Sequence, residues 1–207
     1  MYKVGFIDDD KSLIDDYKIR LKRKGIELLF IEEAPNKEDV VKWILGNGVK
    51  CMLVDYKLTE MYDFNGTELV AYINSQIPDL PCIILTNYCD EGISENLVIK
   101  NLFMEREKLD ADIDSPDFEN MINIFKQAAE VFDNRLKYHQ AEFKSLRLKK
   151  DNNDINSNEE ERLIELFKIL RAYDEVDDLP AELLTTNASK KMSDILHLLD
   201  KLIDKTE

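Results

Sequence analysis

Lys3-Val-Gly-Phe-Ile-Asp-Asp-Asp10 and Lys50-Cys-Met-Leu-Val-Asp55 have the same form: a short apolar run of β character that stops abruptly on carboxylate. Three further runs, Glu27–Ile31, Pro81–Leu85 and Leu102–Glu105, complete a set of five candidate strands. Between them apolar residues recur at three- and four-residue spacing: Leu13, Ile14, Tyr17 and Leu21; then Val40, Val41, Ile44 and Leu45; then Leu69, Val70 and Ile73. Gly25, Gly46-Asn47-Gly48 and the Pro78–Pro81 segment supply the breaks. Strands alternating with amphipathic helices predict a parallel sheet covered by helices, and strands this apolar should be buried on both faces.

The chain has 207 residues with 43 acids and 28 bases, a net charge of −15. That length accommodates one α/β domain and an appendage. The acid surplus argues against broad binding to nucleic acid or to an acidic membrane face. Residues 151–207 hold 15 acids and 7 bases, so the C-terminal part is the more acidic per residue. The opening apolar stretch meets Asp8 at once and no run reaches bilayer length, which predicts a cytoplasmic protein. Cys51, Cys82 and Cys89 lack metal-ligand spacing and are expected as reduced thiols.

Ser115-Pro116 is a helix start, an N-cap followed by proline at the first helical position, and the pattern then runs to about Lys150. Met121, Phe125, Ala128 and Phe132 share its stripe. A polar break comes next at 151–158, and Ser157 with Glu160 has the form of a capping box for a helix carrying Leu163, Leu166, Phe167, Leu170 and Tyr173. A second helix is expected to carry Met192, Ile195, Leu196, Leu199, Leu202 and Ile203. The expected organisation is an α/β core over 1–116, a helical stalk over 117–150, a linker over 151–158 and an acidic helical hairpin over 159–207.

In an open parallel sheet, reactive side chains collect at the carboxyl ends of the strands. There the sequence places Asp8, Asp9 and Asp10 after the first strand, Asp55 after the third and Thr86 after the fourth. Clustered carboxylates call for a hard divalent cation such as Mg²⁺, which would also neutralise an incoming phosphoryl group. Asp55 is the preferred nucleophile, and the Thr86 hydroxyl can donate to a phosphoryl oxygen. Acids at 8–10 could instead simply form a solvated turn capping the helix that begins near Ser12.

These residues resemble the receiver domain of two-component response regulators over residues 1 to about 130. Asp8 and Asp9 match the family's acidic pair, Asp55 its phosphoacceptor and Thr86 its switch hydroxyl. The resemblance implies a flavodoxin-like fold with a five-stranded parallel sheet, Mg²⁺ held by Asp8, Asp9, Asp55 and the backbone carbonyl of Lys57, and a lysine closing the fifth strand. Lys108 is the first candidate for that lysine and Lys100 the alternative. It further implies phosphoryl transfer from a histidine kinase or phosphotransfer protein, with no enzymatic turnover beyond self-phosphorylation and slow self-dephosphorylation. Two features depart from the family: no proline stands after either lysine, and no aromatic residue stands two positions before it. The loop from Asp55 to Gly66 is also long.

Output is expected through homodimerisation or a protein partner at residues 117–207. The basic residues Arg135, Lys137, Lys144, Arg147, Lys149 and Lys150 suit a helix C-terminus beside an acidic hairpin better than a nucleic-acid interface. His139 and His197 are expected as surface or interface residues. Two other readings compete. Asp8-Asp-Asp-Lys-Ser12 is similar to the nucleophile motif of haloacid-dehalogenase-type phosphohydrolases, with Asp8 as nucleophile, Thr86 and Lys108 as later motif members, and Asp110, Asp112 and Asp114 available as the further acids. A scaffold that keeps the fold without phosphorylation is the third.

Overall fold

The computed structural model describes residues 1–59, 61–173 and 175–176. The expected helix over Met192–Ile203, its connection at Pro180, and His197 lie outside them. Five parallel strands form one sheet in the order β2-β1-β3-β4-β5. They are β1 (Tyr2–Ile7), β2 (Ile26–Phe30), β3 (Cys51–Val54), β4 (Cys82–Leu85) and β5 (Phe103–Met104). The boundaries agree with the sequence reading to within a residue or two. Strand order reverses between β1 and β3, the switch point at which open α/β sheets place their ligands.

Register fixes which residues meet there. Ile7 pairs with Val54 and Val54 with Ile84, so the chain leaves β1 at Asp8, β3 at Asp55 and β4 at Leu85-Thr86 along one edge. Every residue of β3 and β4 is buried, as apolar runs covered on both faces require. The covering helices are α1 (Ile14–Arg23), α2 (Lys37–Asn47), α3 (Gly66–Gln76), α4 (Cys89–Ser94), α5 (Glu107–Asp110) and α6 (Pro116–Asp151). In α2, Asn36 accepts from the Asp39 amide at the N-terminus, and Gly48 ends the helix at φ 65°, a left-handed turn that glycine adopts without strain.

One face of the sheet carries α1 and the first half of α6. Val4, Phe6, Leu53, Ile83 and Leu85 from the strands share a core cluster there with Tyr17 and Leu21 of α1 and Phe118, Met121, Ile122, Phe125 and Ala129 of α6. Ser115 caps α6 as its sequence announces, its Oγ accepting from the Phe118 amide at 3.3 Å. The one-turn helix α5 interposes between β5 and α6, a feature the sequence pattern did not show.

The described residues divide into two compact units, the first over residues 1–135 and the second beginning at Leu136. In the second unit the last part of α6 packs on α7 (Ser157–Ala172), with Leu136, Phe143 and Leu146 against Leu163, Leu166, Phe167 and Leu170 as its apolar residues. Phe143 and Phe167 stack at 6.4 Å between centroids, and Arg162 clasps Glu142 with two bonds of 2.9 and 3.0 Å. The capping box belongs to Asn156 and Glu159, one residue ahead of the Ser157–Glu160 expectation. Lys149 pairs with Glu159, giving one member of the basic cluster an acidic partner in this hairpin. His139 is half-buried, and its Nδ1 has no hydrogen-bond partner. No helix among the described residues is long and apolar enough to cross a membrane.

Candidate functional site

Three carboxylates converge at the switch point. Asp8 and Asp55 are buried and Asp9 is half-buried, and one oxygen from each lies within 4.8 Å of the others. The strand ends aim them; local hydrogen bonds then fix two of them. Asp8 Oδ1 accepts from the Asp10 amide at 2.9 Å, and Asp55 Oδ2 accepts from the Lys57 amide at 3.0 Å. Asp10 stands apart from the cluster, with Oδ1 accepting from the Ser12 amide at 2.9 Å. It is solvated and bonded within the turn ahead of α1, but α1 has Leu13 as its N-cap without a side-chain cap bond, so the capping expectation fails and Asp8 is buried instead.

Burial and charge perturb Asp8 and Asp55. Burial pushes the Asp8 carboxyl up to about 7, with the Asp55 charge adding and the Asp10 amide and Arg106 opposing. Asp55 is raised as well, chiefly by burial, against the pull of Arg106 and the Lys57 amide. Asp8 Oδ2 is buried without a hydrogen-bond donor, although Arg106 Nη1 lies 2.9 Å away outside bonding geometry. Three carboxylate oxygens at this spacing form a hard anionic donor set that fits an oxygen-ligated divalent cation.

Thr86 is fully buried at the end of β4, where its Oγ1 accepts from the Tyr88 amide at 3.2 Å. Its backbone carries β5 alongside: the Thr86 amide donates to the Met104 carbonyl and the Arg106 amide to the Thr86 carbonyl. That rung delivers the Arg106 side chain to the acids, and the guanidinium is mostly buried there.

Lys108 does not reach the cluster. It lies in α5 with Nζ 3.1 Å from Glu105, and both it and Lys100 border a groove of about 350 Å³ between α4, β5 and α6. The one-turn helix after β5 turns Lys108 toward that groove, and the cation standing beside Asp8 is Arg106. Lys57 contributes its amide to Asp55, while its ammonium sits 3.3 Å from the Tyr88 ring centroid and 3.4 Å from Glu91.

No protein-family model matches the chain, and no curated protein matches it. Among solved structures it is similar to an uncharacterised protein of Neptuniibacter caesariensis (16% identity, TM-score 0.49, covering 65% of this chain and 91% of that one). It is also similar to a CheY-like response regulator receiver domain protein of Methanospirillum hungatei (19%, TM-score 0.47, covering 65% and 98%). A third is the signal receiver domain of a LuxO-type repressor from Vibrio parahaemolyticus (22%, TM-score 0.48, covering 64% and 95%).

The long loop after Asp55 is tied down. Glu95, just past α4, accepts from Tyr56 Oη at 2.6 Å, from Asn65 Nδ2 at 3.1 Å and from the buried Thr67 hydroxyl. Burial disfavours the Glu95 charge, but these three donors outweigh it and hold its pKa below the ordinary value. Gly66 closes the loop, donating its amide to the Tyr56 carbonyl at 2.8 Å. The Glu95 network carries no sequence motif; only its parts, an Asn-Gly-Thr run and a lone glutamate, are visible there.

The raised Asp8 carboxyl makes a pH prediction. Its folded pKa exceeds the ordinary 3.8, so neutral Asp8 favours the fold at low pH and that contribution is lost as pH rises through about 7. In the presence of a chelator, the stability of wild type relative to Asp8→Asn should fall between pH 4 and 7, by up to about 1.4 kcal/mol per pH unit. Denaturant midpoints of the two proteins across that range measure it, and parallel curves would refute it.

Proposed function

We propose that this chain is a phosphoryl-accepting signalling module in which Asp55 takes the phosphoryl group and residues 117–207 carry the output to a protein partner or a second copy. The observation that carries this reading is the convergence of Asp8, Asp9 and Asp55 at the switch point, one oxygen of each within 4.8 Å of the others. Asp8, Asp9 and Asp55, with the Lys57 carbonyl, would hold Mg²⁺. Bound there, the cation would neutralise phosphoryl oxygens and favour in-line attack by a carboxylate.

The chain's own residues supply the rest. Asp55 is the nucleophile: its Oδ2 is held by the Lys57 amide and turned within the cluster, so its position is fixed before a donor arrives. The Thr86 hydroxyl can exchange its Tyr88 amide contact for donation to a phosphoryl oxygen. Arg106 provides the positive charge that a lysine supplies in the receiver family, with a planar fork suited to two oxygens. Burial of Asp8 and Asp55 excludes bulk water from the acyl phosphate that would form.

A phosphohydrolase using Asp8 as nucleophile is disfavoured because Asp8 is the more buried acid, faces Arg106, and leaves Asp55 without a role. A histidine kinase or phosphotransfer protein is the proposed donor, and the cytoplasm the proposed location. Fluorine NMR with beryllofluoride and Mg²⁺ tests the reading: a bound resonance is expected for wild type and none for Asp55→Asn. The same resonance in Asp55→Asn, or none in wild type, would overturn it. Light scattering of the beryllofluoride complex should show a shift in solution mass if output is self-association.

A further inference from the structure

Arg106 occupies the site in a way that bears on the cation itself. Its Nη1 lies 2.9 Å from Asp8 Oδ2 and its Nη2 4.0 Å from Asp10 Oδ2, with the side chain only 15% exposed. Nearby, Tyr17 of α1 donates its hydroxyl to Asp110 Oδ1 at 2.9 Å. The nearby lysines are committed elsewhere: Lys11 to the Glu32 carbonyl, Lys57 to Glu91 and Lys108 to Glu105.

We infer that Arg106 is a built-in counter-cation that competes with a divalent cation for Asp8. The inference rests on the reading of Asp8, Asp9 and Asp55 as a cation site. A small divalent ion needs its carboxylate oxygens at about 2.0–2.1 Å. Asp8 Oδ2 cannot meet that requirement while a guanidinium nitrogen stands 2.9 Å away, because two cations would then share one buried oxygen at close range. Either Arg106 stays and Asp8 is withheld, or the ion enters and the guanidinium is released. Its remaining anionic neighbours are then Asp10, whose Oδ2 already lies 4.0 Å from Nη2, and Asp55, whose charge it feels.

Calorimetric titration of the full chain with Mn²⁺ tests this, using wild type, Arg106→Gln and Arg106→Met. Arg106→Gln is expected to bind about tenfold more tightly or better, because the competing charge is gone. Arg106→Met should tighten binding to a similar degree, because it removes the same charge. A merely structural role for the side chain would weaken binding, so tightening is the diagnostic sign. In chelator, Arg106→Gln should also unfold at lower temperature than wild type and gain more from Mn²⁺. Unchanged or weaker binding by both variants, with wild type binding, would overturn the competition and leave the cation site standing. If neither wild type nor Arg106→Gln binds Mn²⁺, the competition and the cation site fall together. Should Arg106→Gln not fold, Arg106→Met decides alone.

Discussion

Gly66→Ala is expected to destabilise the sheet unit by about 3 kcal/mol or more and to abolish cation binding with it. A Cβ at this position would overlap the Asp55 carbonyl oxygen and come within 2.9 Å of Tyr56 Cα. Both obstacles are backbone, so no side-chain rotation relieves the clash. Relief requires the 55–66 loop to move, and that loop carries Asp55, the Lys57 amide that fixes it, and the Tyr56 and Asn65 groups bonded to Glu95. Stability and chemistry should therefore fail together. Denaturant titration with and without Mg²⁺ measures both, and a wild-type midpoint with a normal Mg²⁺ response would contradict the account.

Phe125→Ala should cost about 3–5 kcal/mol, a large part of the roughly 5–15 kcal/mol that holds a domain of this size. Phe125 is fully buried where the first half of α6 meets the sheet, in one cluster with Phe6, Leu53, Tyr17 and Phe118. Removing the ring opens a cavity between layers that meet on strands and cannot collapse freely. Val131→Ala, on the same helix but 43% exposed, should change stability by no more than about 0.5 kcal/mol. Chemical denaturation of the two variants checks the contrast; equal losses would mean that α6 does not pack as described.

Much of the site was legible in the sequence because a parallel sheet turns strand ends into addresses. A residue directly after an apolar run, such as Asp8 or Asp55, has its place set by register alone. The fifth strand did not offer that help. It is two residues long, so side-chain alternation gives no direction, and the one-turn helix over Glu107–Asp110 swings Lys108 off the strand's line. Family spacing favoured Lys108, whereas the hydrogen bond from the Arg106 amide to the Thr86 carbonyl sets which cation faces the acids. A cation two residues beyond the strand was the available signal. The capping box failed for a different reason: Asn156 with Glu159 and Ser157 with Glu160 both fit the pattern, and only the backbone at Asn156 separates them. The start of α6 was plain because Ser115-Pro116 permits little else.

The central claim is that Asp55 is the group that takes the phosphoryl. Incubation with acetyl phosphate and Mg²⁺, then trapping of the acyl phosphate and mapping by mass spectrometry, tests it in wild type, Asp55→Asn and Asp8→Asn. The account predicts label on Asp55 in wild type and none anywhere in Asp55→Asn. Label on Asp8 with steady release of phosphate would identify a hydrolase instead, and no label on wild type would leave a scaffold.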